Sequence, residues 1–328
     1  MPGCTEEVWR QIGPLLTKAA AVAEGEPCCV RIGNDGAGHF VKTVHNGIEY
    51  ADMQLISECY ALLRRLGGFS VEELQGLFAQ WNRGELSSYL VEITADILGQ
   101  RDEQTGRPMV DVIRGRAGSK GTGKWTSQQS LDLGMPAPTI AEAVFARYLS
   151  AHEGVRLAAQ GLEGGAVPPG PVDKQALAED VRRALYCGKV CAYAQGFALM
   201  REAGQVYGWQ LDFGAIASIF RGGCIIRAEF LNRIRDAYRR RPDLANLLLD
   251  GFFAQSVGRY LPAWRQVAAR AVEGGVACPG LLSALSYYDG IRDPVGAAGL
   301  IQAQRDYFGA HTFERVDQPG HFHRQWQK

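Results

Sequence analysis

Five polar side chains near the start of the chain have a spacing that could support acid–base chemistry. They stand at positions i, i+3, i+4, i+7 and i+8 and are Lys42, His45, Asn46, Glu49 and Tyr50. This spacing places all five on one face of a helix, with Lys42 and Glu49 about 10 Å apart along the axis. A semi-buried lysine can act as a general base, and a nearby glutamate can supply the complementary acid. The pattern predicts either a site for a small polar ligand lying along the helix or a solvated helix face.

A glycine-rich segment with two lysines could bind an anion. Residues 118–126 have the sequence Gly-Ser-Lys-Gly-Thr-Gly-Lys-Trp-Thr. They approach the phosphate-binding pattern G-x-x-x-x-G-K-[ST], but Trp125 stands where that pattern requires a hydroxyl, and no clear strand precedes the segment. A nucleoside triphosphate site is therefore not expected. The segment predicts a turn that is either an ordinary glycine-rich turn or one whose backbone N–H groups, with Lys120 and Lys124, suit a single phosphate.

Two further cations, Arg305 and His311, flank a predicted turn near the end of the chain. A guanidinium and an imidazole could add donors to an anion site, although such residues near a terminus are usually ordinary surface residues. Arg147, within a predicted helix, gives no signal by itself. His321 and His323 have no carboxylate or cysteine nearby at ligand spacing, so no metal site is expected.

The composition is typical of a globular protein. The 328 residues include 35 Lys+Arg and 35 Asp+Glu, so the formal net charge is zero. This balance argues against nucleic acid or an anionic membrane as a partner. No signal-peptide pattern opens the chain, and no apolar stretch is long enough to span a membrane. The eight cysteines are scattered, which predicts reduced thiols and a cytoplasmic location.

Helical periodicity extends through almost the whole chain and predicts a mainly all-α fold. The five polar residues of 42–50 form a stripe, and this polar stripe lies on a long helix predicted over 36–66. The helix is ended by Gly67 and Gly68 and followed by a capping box that starts at Ser70. The apolar residues off the stripe, Phe40, Val44, Ile48 and Met53, are predicted to face the core. The one predicted strand is Cys28–Ile32.

The remaining elements follow from the same periodicity. An N-terminal helix is predicted around Trp9–Ala19, and the segment 161–171, rich in glycine and proline, is predicted to be a loop. The last stretch, from residue 309, loses its period and is expected to be an extended tail. Further helices are predicted over 86–99, 139–151, 173–204, 225–239, 243–274, 279–288 and 295–307.

Taken together, these segments resemble the 6-phosphogluconate dehydrogenase family. The matching stretches stand in the family's order and at its separations, and they are 36–50, 120–126, 131–150, 221–227 and 300–314. The resemblance implies an all-helical substrate and dimerisation domain over 36–293. It implies that 1–35 is the remnant of an α/β (Rossmann) domain, and that the helix and tail of 294–328 reach the partner subunit of a homodimer.

The resemblance also implies a reaction of the pentose phosphate pathway. This is the oxidative decarboxylation of 6-phospho-D-gluconate to ribulose 5-phosphate and CO₂, with NADP as hydride acceptor and without a metal. Lys42 resembles the general base that takes the 3-hydroxyl proton, and Glu49 resembles the acid that protonates C1 of the enediol. The substrate-binding residues implied are His45, Asn46, Tyr50, Lys120, Thr122 and Arg147, with Arg305 and His311 supplied by the other subunit.

Two departures from the family pattern bear on these expectations. Phe313 replaces a tyrosine, which removes one hydroxyl. The family's NADP contacts lie in a domain of which residues 1–35 match only the end, so the cofactor-binding residues are unassigned and slow turnover with weak substrate binding is expected. Two alternatives are a non-catalytic module for sugar-phosphate binding or dimerisation, and the substrate half of a split enzyme.

Overall fold

The computed structural model describes residues 1–162 and 172–326. The loop predicted over 161–171 lies outside the described residues except for its first two. The chain divides into two compact units, Met1–Leu285 and Ser286–Lys328. The division into 1–35, 36–293 and 294–328 stays a prediction.

The described residues are mainly helical, which confirms the predicted fold class. The helices are α1 (Glu6–Ala19), α2 (Ala37–Leu66), α3 (Val71–Trp81), α4 (Tyr89–Leu98), α5 (Met109–Val112), α6 (Thr122–Asp132), α7 (Pro138–Ala151), α8 (Glu153–Ala158), α9 (Lys174–Tyr207), α10 (Phe213–Ile219), α11 (Leu231–Arg240), α12 (Gly251–Glu273), α13 (Pro279–Arg292) and α14 (Ala298–Gly309). Two 3₁₀ turns span Ala159–Gly161 and Leu247–Leu249. Two antiparallel pairs complete the fold, β1 (Val22–Ala23) with β2 (Glu26–Pro27) and β3 (Phe313–Glu314) with β4 (His321–Phe322).

The first unit is built on the contact between the long helices α2 and α9. Gly196 of α9 allows this contact, because a Cβ there would lie 2.5 Å from Ile48 Cδ1. One ion pair is buried between the helices, with Lys189 Nζ 2.6 Å from each carboxylate oxygen of Asp52 and both side chains at most 1% exposed. This packing fixes one side of α2, so the side chains on its opposite side have a rigid backbone beneath them.

Local signals set the ends of α2 and α3 as predicted. Gly67 follows the last turn of α2, and Gly68 takes the left-handed conformation with φ of 59° that favours glycine. Ser70 accepts from the Glu73 backbone N–H while Glu73 accepts from the Ser70 backbone N–H, which is the expected capping box.

The predicted strand Cys28–Ile32 is wrong. No residue of this segment belongs to a strand: the following Gly33 forms one parallel bridge with Gly3, and Ile32 N–H donates to the Pro2 carbonyl at 2.9 Å. A β-strand requires a neighbouring strand to satisfy its backbone groups along its length. Ile32 is buried and the other four residues are half-buried, so the composition of this segment reflects partial burial and not sheet pairing.

Other differences concern helix bounds and short elements. The helix predicted over 225–239 begins only at Leu231, and that predicted over 243–274 begins only at Gly251. The tail is extended as expected but also contains the β3–β4 pair, and α6 was not predicted at all. None of the helices in the described part of the chain is both long and apolar enough to cross a bilayer.

Candidate functional site

The polar stripe of α2 is only partly exposed to solvent. Lys42 is exposed, and Asn46 and Glu49 are half-buried, whereas His45 and Tyr50 are buried at 0% and 5% exposure. A solvated helix face would leave all five in water, so that alternative is not what the structure shows. Burying polar groups has a cost that their partners must offset, and those partners define two ends of a site.

At the first end, Lys42 and Asn46 share one nitrogen of His45. The His45 Nδ1 lies 3.1 Å from Lys42 Nζ and 3.1 Å from Asn46 Oδ1. Burial and, to a smaller extent, the charge of Lys42 lower the pKa of His45 to about 4, against a hydrogen bond to Asn46 Oδ1 that raises it. The imidazole is therefore neutral at neutral pH. A neutral imidazole can accept a hydrogen bond from a Lys42 ammonium or donate one to a Lys42 amine, depending on its tautomer.

The His45 ring is enclosed by a side chain distant in sequence. It packs edge-on against Phe220, with ring centroids 5.1 Å apart. Its Nε2 is buried and has no hydrogen-bond partner among the described residues. Of the two ring nitrogens of His45, only Nδ1 makes hydrogen-bond contacts, and these are with Lys42 and Asn46 of the same stripe.

A cavity of about 350 Å³ opens beside Lys42. Its volume is in the range of small-molecule sites. It is lined by Met1, Cys28, Gly38, His39, Lys42, Ile219, Gly222, Gly223 and Cys224. The stretch 221–227, noted in the sequence for its resemblance, thus meets the start of α2 at this cavity.

Glu49 lies between the two ends of the stripe. Half-burial raises the pKa of its carboxyl above the usual value, against the charges of Lys42 and Arg147, which lower it. The group therefore holds a proton more readily than an exposed glutamate. This is the property that a proton donor needs near neutral pH.

At the second end, Tyr50 is surrounded by the glycine-rich segment and by Arg147. The Arg147 Cζ stands 3.6 Å from the centre of the Tyr50 ring, and its Nη1 donates to the Gly118 carbonyl at 3.1 Å. The Tyr50 hydroxyl is 3.2 Å from Ser119 Oγ. Burial raises the pKa of Tyr50, but hydrogen bonds from Ser119 and Thr122 and the charge of Arg147 together lower it below the usual value.

The glycine-rich segment is a turn only as far as Gly121, and Thr122 begins α6. Gly121 has φ of 92°, a conformation that favours glycine. Gly123 allows α6 to approach α2, because a Cβ there would lie 2.5 Å from Tyr50 Cδ2. Thr126 Oγ1 donates to the Thr43 carbonyl at 2.7 Å and ties the two helices together.

The structure brings most of the predicted site residues together in the first unit. Lys120 is exposed at the mouth of the turn, its backbone N–H contacting Tyr50, while Thr122 contacts the same hydroxyl. Arg305 and His311 are exposed on α14 and just after it, in the second unit. That they approach the Tyr50–Arg147 end of the stripe in another subunit stays a prediction.

Two residues at this site were missed or misplaced in the sequence analysis. Ser119, which also accepts from the Gly121 backbone N–H at 3.2 Å, stood unremarked beside Lys120. Met53 was predicted to face the core, but it is half-buried and its Sδ lies 3.9 Å from Arg147 Nη2. It stands one further turn along the stripe, so extending the i+3, i+4 series to i+11 would have placed it there.

Comparison with known proteins finds similarity over nearly the whole chain. The family model described as the C-terminal domain of 6-phosphogluconate dehydrogenase matches residues 38–326. The chain is 56% identical to the NADP(+)-dependent, decarboxylating 6-phosphogluconate dehydrogenase of Bacillus subtilis, with 100% of this chain and 70% of that protein covered. It is 54% identical to the decarboxylating enzyme of Escherichia coli K12, over 99% of this chain and 70% of that protein.

A solved structure agrees. The 6-phosphogluconate dehydrogenase of Plasmodium falciparum superposes with a TM-score of 0.96 at 39% identity, covering 99% of this chain and 70% of that one. Agreement in sequence and in fold thus extends over both the α2 stripe and the α14 tail. The chain therefore belongs to the 6-phosphogluconate dehydrogenase family.

Proposed function

We propose that this chain binds 6-phospho-D-gluconate along α2 and acts in its oxidative decarboxylation to ribulose 5-phosphate and CO₂. The observation that carries the proposal is the order of groups on one helix face. Lys42 lies at one end beside a cavity. Two turns later Glu49 feels the charges of both Lys42 and Arg147, and the Tyr50–Arg147 pair beside it forms the other end with Lys120 nearby. A sugar acid with a carboxylate and a phosphate matches a site that has cations at both ends.

Lys42 and Glu49 would handle the protons of this reaction. Lys42 takes the proton of the 3-hydroxyl when C3 is oxidised, and returns one to the carbonyl oxygen as CO₂ leaves. Glu49 then protonates C1 of the enediol, which suits a carboxyl whose pKa is raised by half-burial. His45, neutral and hydrogen-bonded to Lys42 through Nδ1, holds the lysine in place in either protonation state.

NADP is the hydride acceptor that the resemblance implies, and it supplies oxidation of C3 when bound. The described residues do not themselves fit a dinucleotide site. Gly33, Gly36 and Gly38 lack the G-x-G-x-x-G spacing, and the segment before them forms one bridge instead of a sheet. The relatives include an NADP(+)-dependent and an NAD(+)-dependent enzyme, at 56% and 52% identity, so similarity alone does not choose between the two nucleotides.

The binding of 6-phosphogluconate to the purified chain tests this proposal. Calorimetry would compare the wild type with Lys120→Ala and with Lys124→Ala, a second exposed lysine of the same segment. Loss of a charge-assisted contact to the phosphate should weaken binding by about 10- to 100-fold in Lys120→Ala. Lys124→Ala should stay within about twofold of the wild type. Equal effects of the two variants would contradict the assignment.

An assay of NADP reduction with 6-phosphogluconate separates catalysis from binding. Turnover abolished by Lys42→Met and by Glu49→Gln would support the proton roles. Binding without turnover in the wild type would favour the second candidate, a sugar-phosphate-binding module. The absence of a dinucleotide turn among the described residues is the observation that supports this candidate. No preference for 6-phosphogluconate over gluconate would overturn both.

We also propose that the chain pairs with a second copy of itself. Five apolar side chains of α6, α7 and α8 are 58–81% exposed, and we take them as one apolar face: Leu131, Phe145, Leu149, Val155 and Leu157. The second unit presents its own exposed apolar side chains, including Leu300 and Phe308 at 67% and 72%. Patches of this kind usually mark interfaces, and in a two-fold dimer the tail of each copy can cover the face of the other.

The mass in solution tests the pairing. Light scattering should give twice the chain mass for the wild type and a monomer for Leu149→Asp. Val272→Asp is the matched control, since Val272 is 67% exposed but lies on α12, away from the apolar face. A wild-type monomer, or dissociation by both variants alike, would contradict the proposal.

The eight cysteines are all free thiols, which supports a reducing, cytoplasmic setting.

A further inference from the structure

The end of α14 carries a clamp, a pair of side chains that hold the backbone of one residue on both sides of its Cα. Gln302 Nε2 donates to the Thr312 carbonyl at 2.5 Å, and the Thr312 backbone N–H donates to Asp306 Oδ1 at 3.0 Å. Gln302 and Asp306 are four residues apart and share one face of the helix. The backbone N–H and carbonyl of Thr312, the residue directly after His311, are therefore both held by α14.

Gln302 also holds Arg305. Its Oε1 accepts from Arg305 Nη1 at 2.9 Å, while its Nε2 is engaged with Thr312. One carboxamide thus links the guanidinium of Arg305 to the backbone beside His311. An exposed arginine otherwise samples many rotamers, and ordering it on binding costs free energy.

Asp306 is the centre of the tail. It is 0% exposed, although every other residue of 291–326 is exposed or half-buried. Besides Thr312, its carboxylate accepts from His323 Nδ1 at 2.9 Å, the Arg324 backbone N–H at 3.1 Å and Trp326 Nε1 at 2.8 Å. Burial raises the pKa of this carboxyl, but the four donors outweigh burial and hold the pKa well below its usual range.

The backbone around His311 needs such support. Ala310 and Thr312 have φ of 51° and 61°, the left-handed region that residues with a Cβ rarely adopt. Such conformations persist only where the surroundings fix them. Gly309 allows the His311 ring to fold back, because a Cβ there would lie 2.7 Å from His311 Nε2. The clamp therefore holds a strained turn with the imidazole at its centre.

We propose that Gln302 and Asp306 are positioning residues that present Arg305 and His311 as a preformed pair to the substrate phosphate. Neither would touch the phosphate itself. The assignment rests on the proposed function, in which Arg305 and His311 contact that phosphate. It predicts that loss of the Gln302 hydrogen bonds weakens recognition of the phosphate and of nothing else.

The test compares Gln302→Met with Gln304→Met in the full chain. Methionine keeps length and helix preference but makes neither hydrogen bond, and Gln304 is an exposed glutamine of the same helix. Affinity for 6-phosphogluconate is measured by calorimetry, and affinity for unphosphorylated gluconate is measured by competition. Trypsin cleavage after Arg324 reports whether the tail stays folded on Asp306.

Gln302→Met should bind 6-phosphogluconate about 3- to 10-fold more weakly, with gluconate binding and trypsin cleavage unchanged. Gln304→Met should match the wild type. Wild-type affinity in Gln302→Met, or an equal loss for both ligands, would overturn the positioning role alone. A wild type that does not prefer 6-phosphogluconate to gluconate would overturn the proposed function and this role with it.

Discussion

The α2–α9 contact and the tail of residues 291–326 are stabilised by opposite means. The first buries apolar side chains on both helices around one ion pair, Asp52 with Lys189. The second buries a single carboxylate, Asp306, and folds around its hydrogen bonds. The comparison indicates that Lys42 and Glu49, which lie on α2, stand on a support that resists change. The cations of the tail depend on a polar network that can be altered locally.

The largest expected effect comes from breaking the buried ion pair. Lys189→Met would leave Asp52 buried without its partner, which costs about 3–5 kcal/mol of unfolding free energy. Lys174→Met is the control, because Lys174 pairs with Glu73 where both side chains are 45–48% exposed. That change should cost less than about 1 kcal/mol. Denaturant unfolding measures both variants.

A double variant makes this contrast sharper. Asp52→Asn combined with Lys189→Met removes both charges and should recover much of the lost free energy. A single variant Lys189→Met as mild as Lys174→Met would show that the pair contributes nothing specific to the α2–α9 contact. No recovery in the double variant would show that packing, and not charge, is responsible.

The next effect is a pH dependence of the unfolding free energy, and it arises from Glu58 in the helical unit, Met1–Leu285. Burial raises the pKa of Glu58 to about 7 from 4.5, although Gln54 and the backbone N–H groups of Leu281 and Gly280 lower it. The folded chain therefore holds this proton more tightly than the unfolded chain. Its stabilising contribution is fully present below pH 4.5 and is lost as the pH rises through 7. The full change is about 3 kcal/mol.

The measurement compares unfolding free energies of the wild type and Glu58→Gln between pH 5 and 8. The variant cannot titrate at this position, so the difference between the two curves isolates Glu58. His45 contributes a slope of the opposite sign, since its lowered pKa costs stability as the pH falls from 6.5 towards 4. Parallel curves for the wild type and Glu58→Gln would contradict the prediction.

A smaller effect is expected where α6 meets the stripe. In Gly123→Ala the new Cβ would overlap the Tyr50 ring, so the ring or α6 must move, at a cost of about 1–3 kcal/mol and with weaker binding of 6-phosphogluconate. Gly76→Ala is the control, since no atom lies within 4 Å of a Cβ there. Gly76 is exposed within α3, so alanine should stabilise by about 0.5–1 kcal/mol. Equal stabilities of the two variants would refute the close approach.

The smallest global effect is expected from the tail. Asp306→Asn places an amide N–H₂ against groups that are themselves donors, so the tail should loosen and trypsin should cleave faster after Arg324. The unfolding free energy of the helical unit should stay within about 0.5 kcal/mol of the wild type. A large loss of global stability would remove the contrast between the two regions.

The sequence carried the features that depend on local spacing. The α2 stripe, the glycine end of that helix and the Ser70 capping box follow from residues within one or two turns of each other. The mainly helical class followed from periodicity in the same way. The resemblance added the roles of Lys42 and Glu49, which spacing alone left open.

The features that were not predicted from the sequence depend on partners distant in the chain. His45 is buried by Phe220, about which the stripe says nothing. Cys28–Ile32 has the composition of a strand but lacks a neighbouring strand. The role of Asp306 was invisible because its donors are spread from Thr312 to Trp326 in a segment without periodicity.

The position of Met1 has a practical consequence. It lines the same cavity as Lys42, and a Cβ on Gly38 would lie 2.2 Å from the Met1 carbonyl. A side chain at position 38 would therefore displace Met1 and alter the space beside Lys42. A small fluorinated group on the Met1 side chain would act as a sensor, because a ligand entering beside Lys42 must change its surroundings.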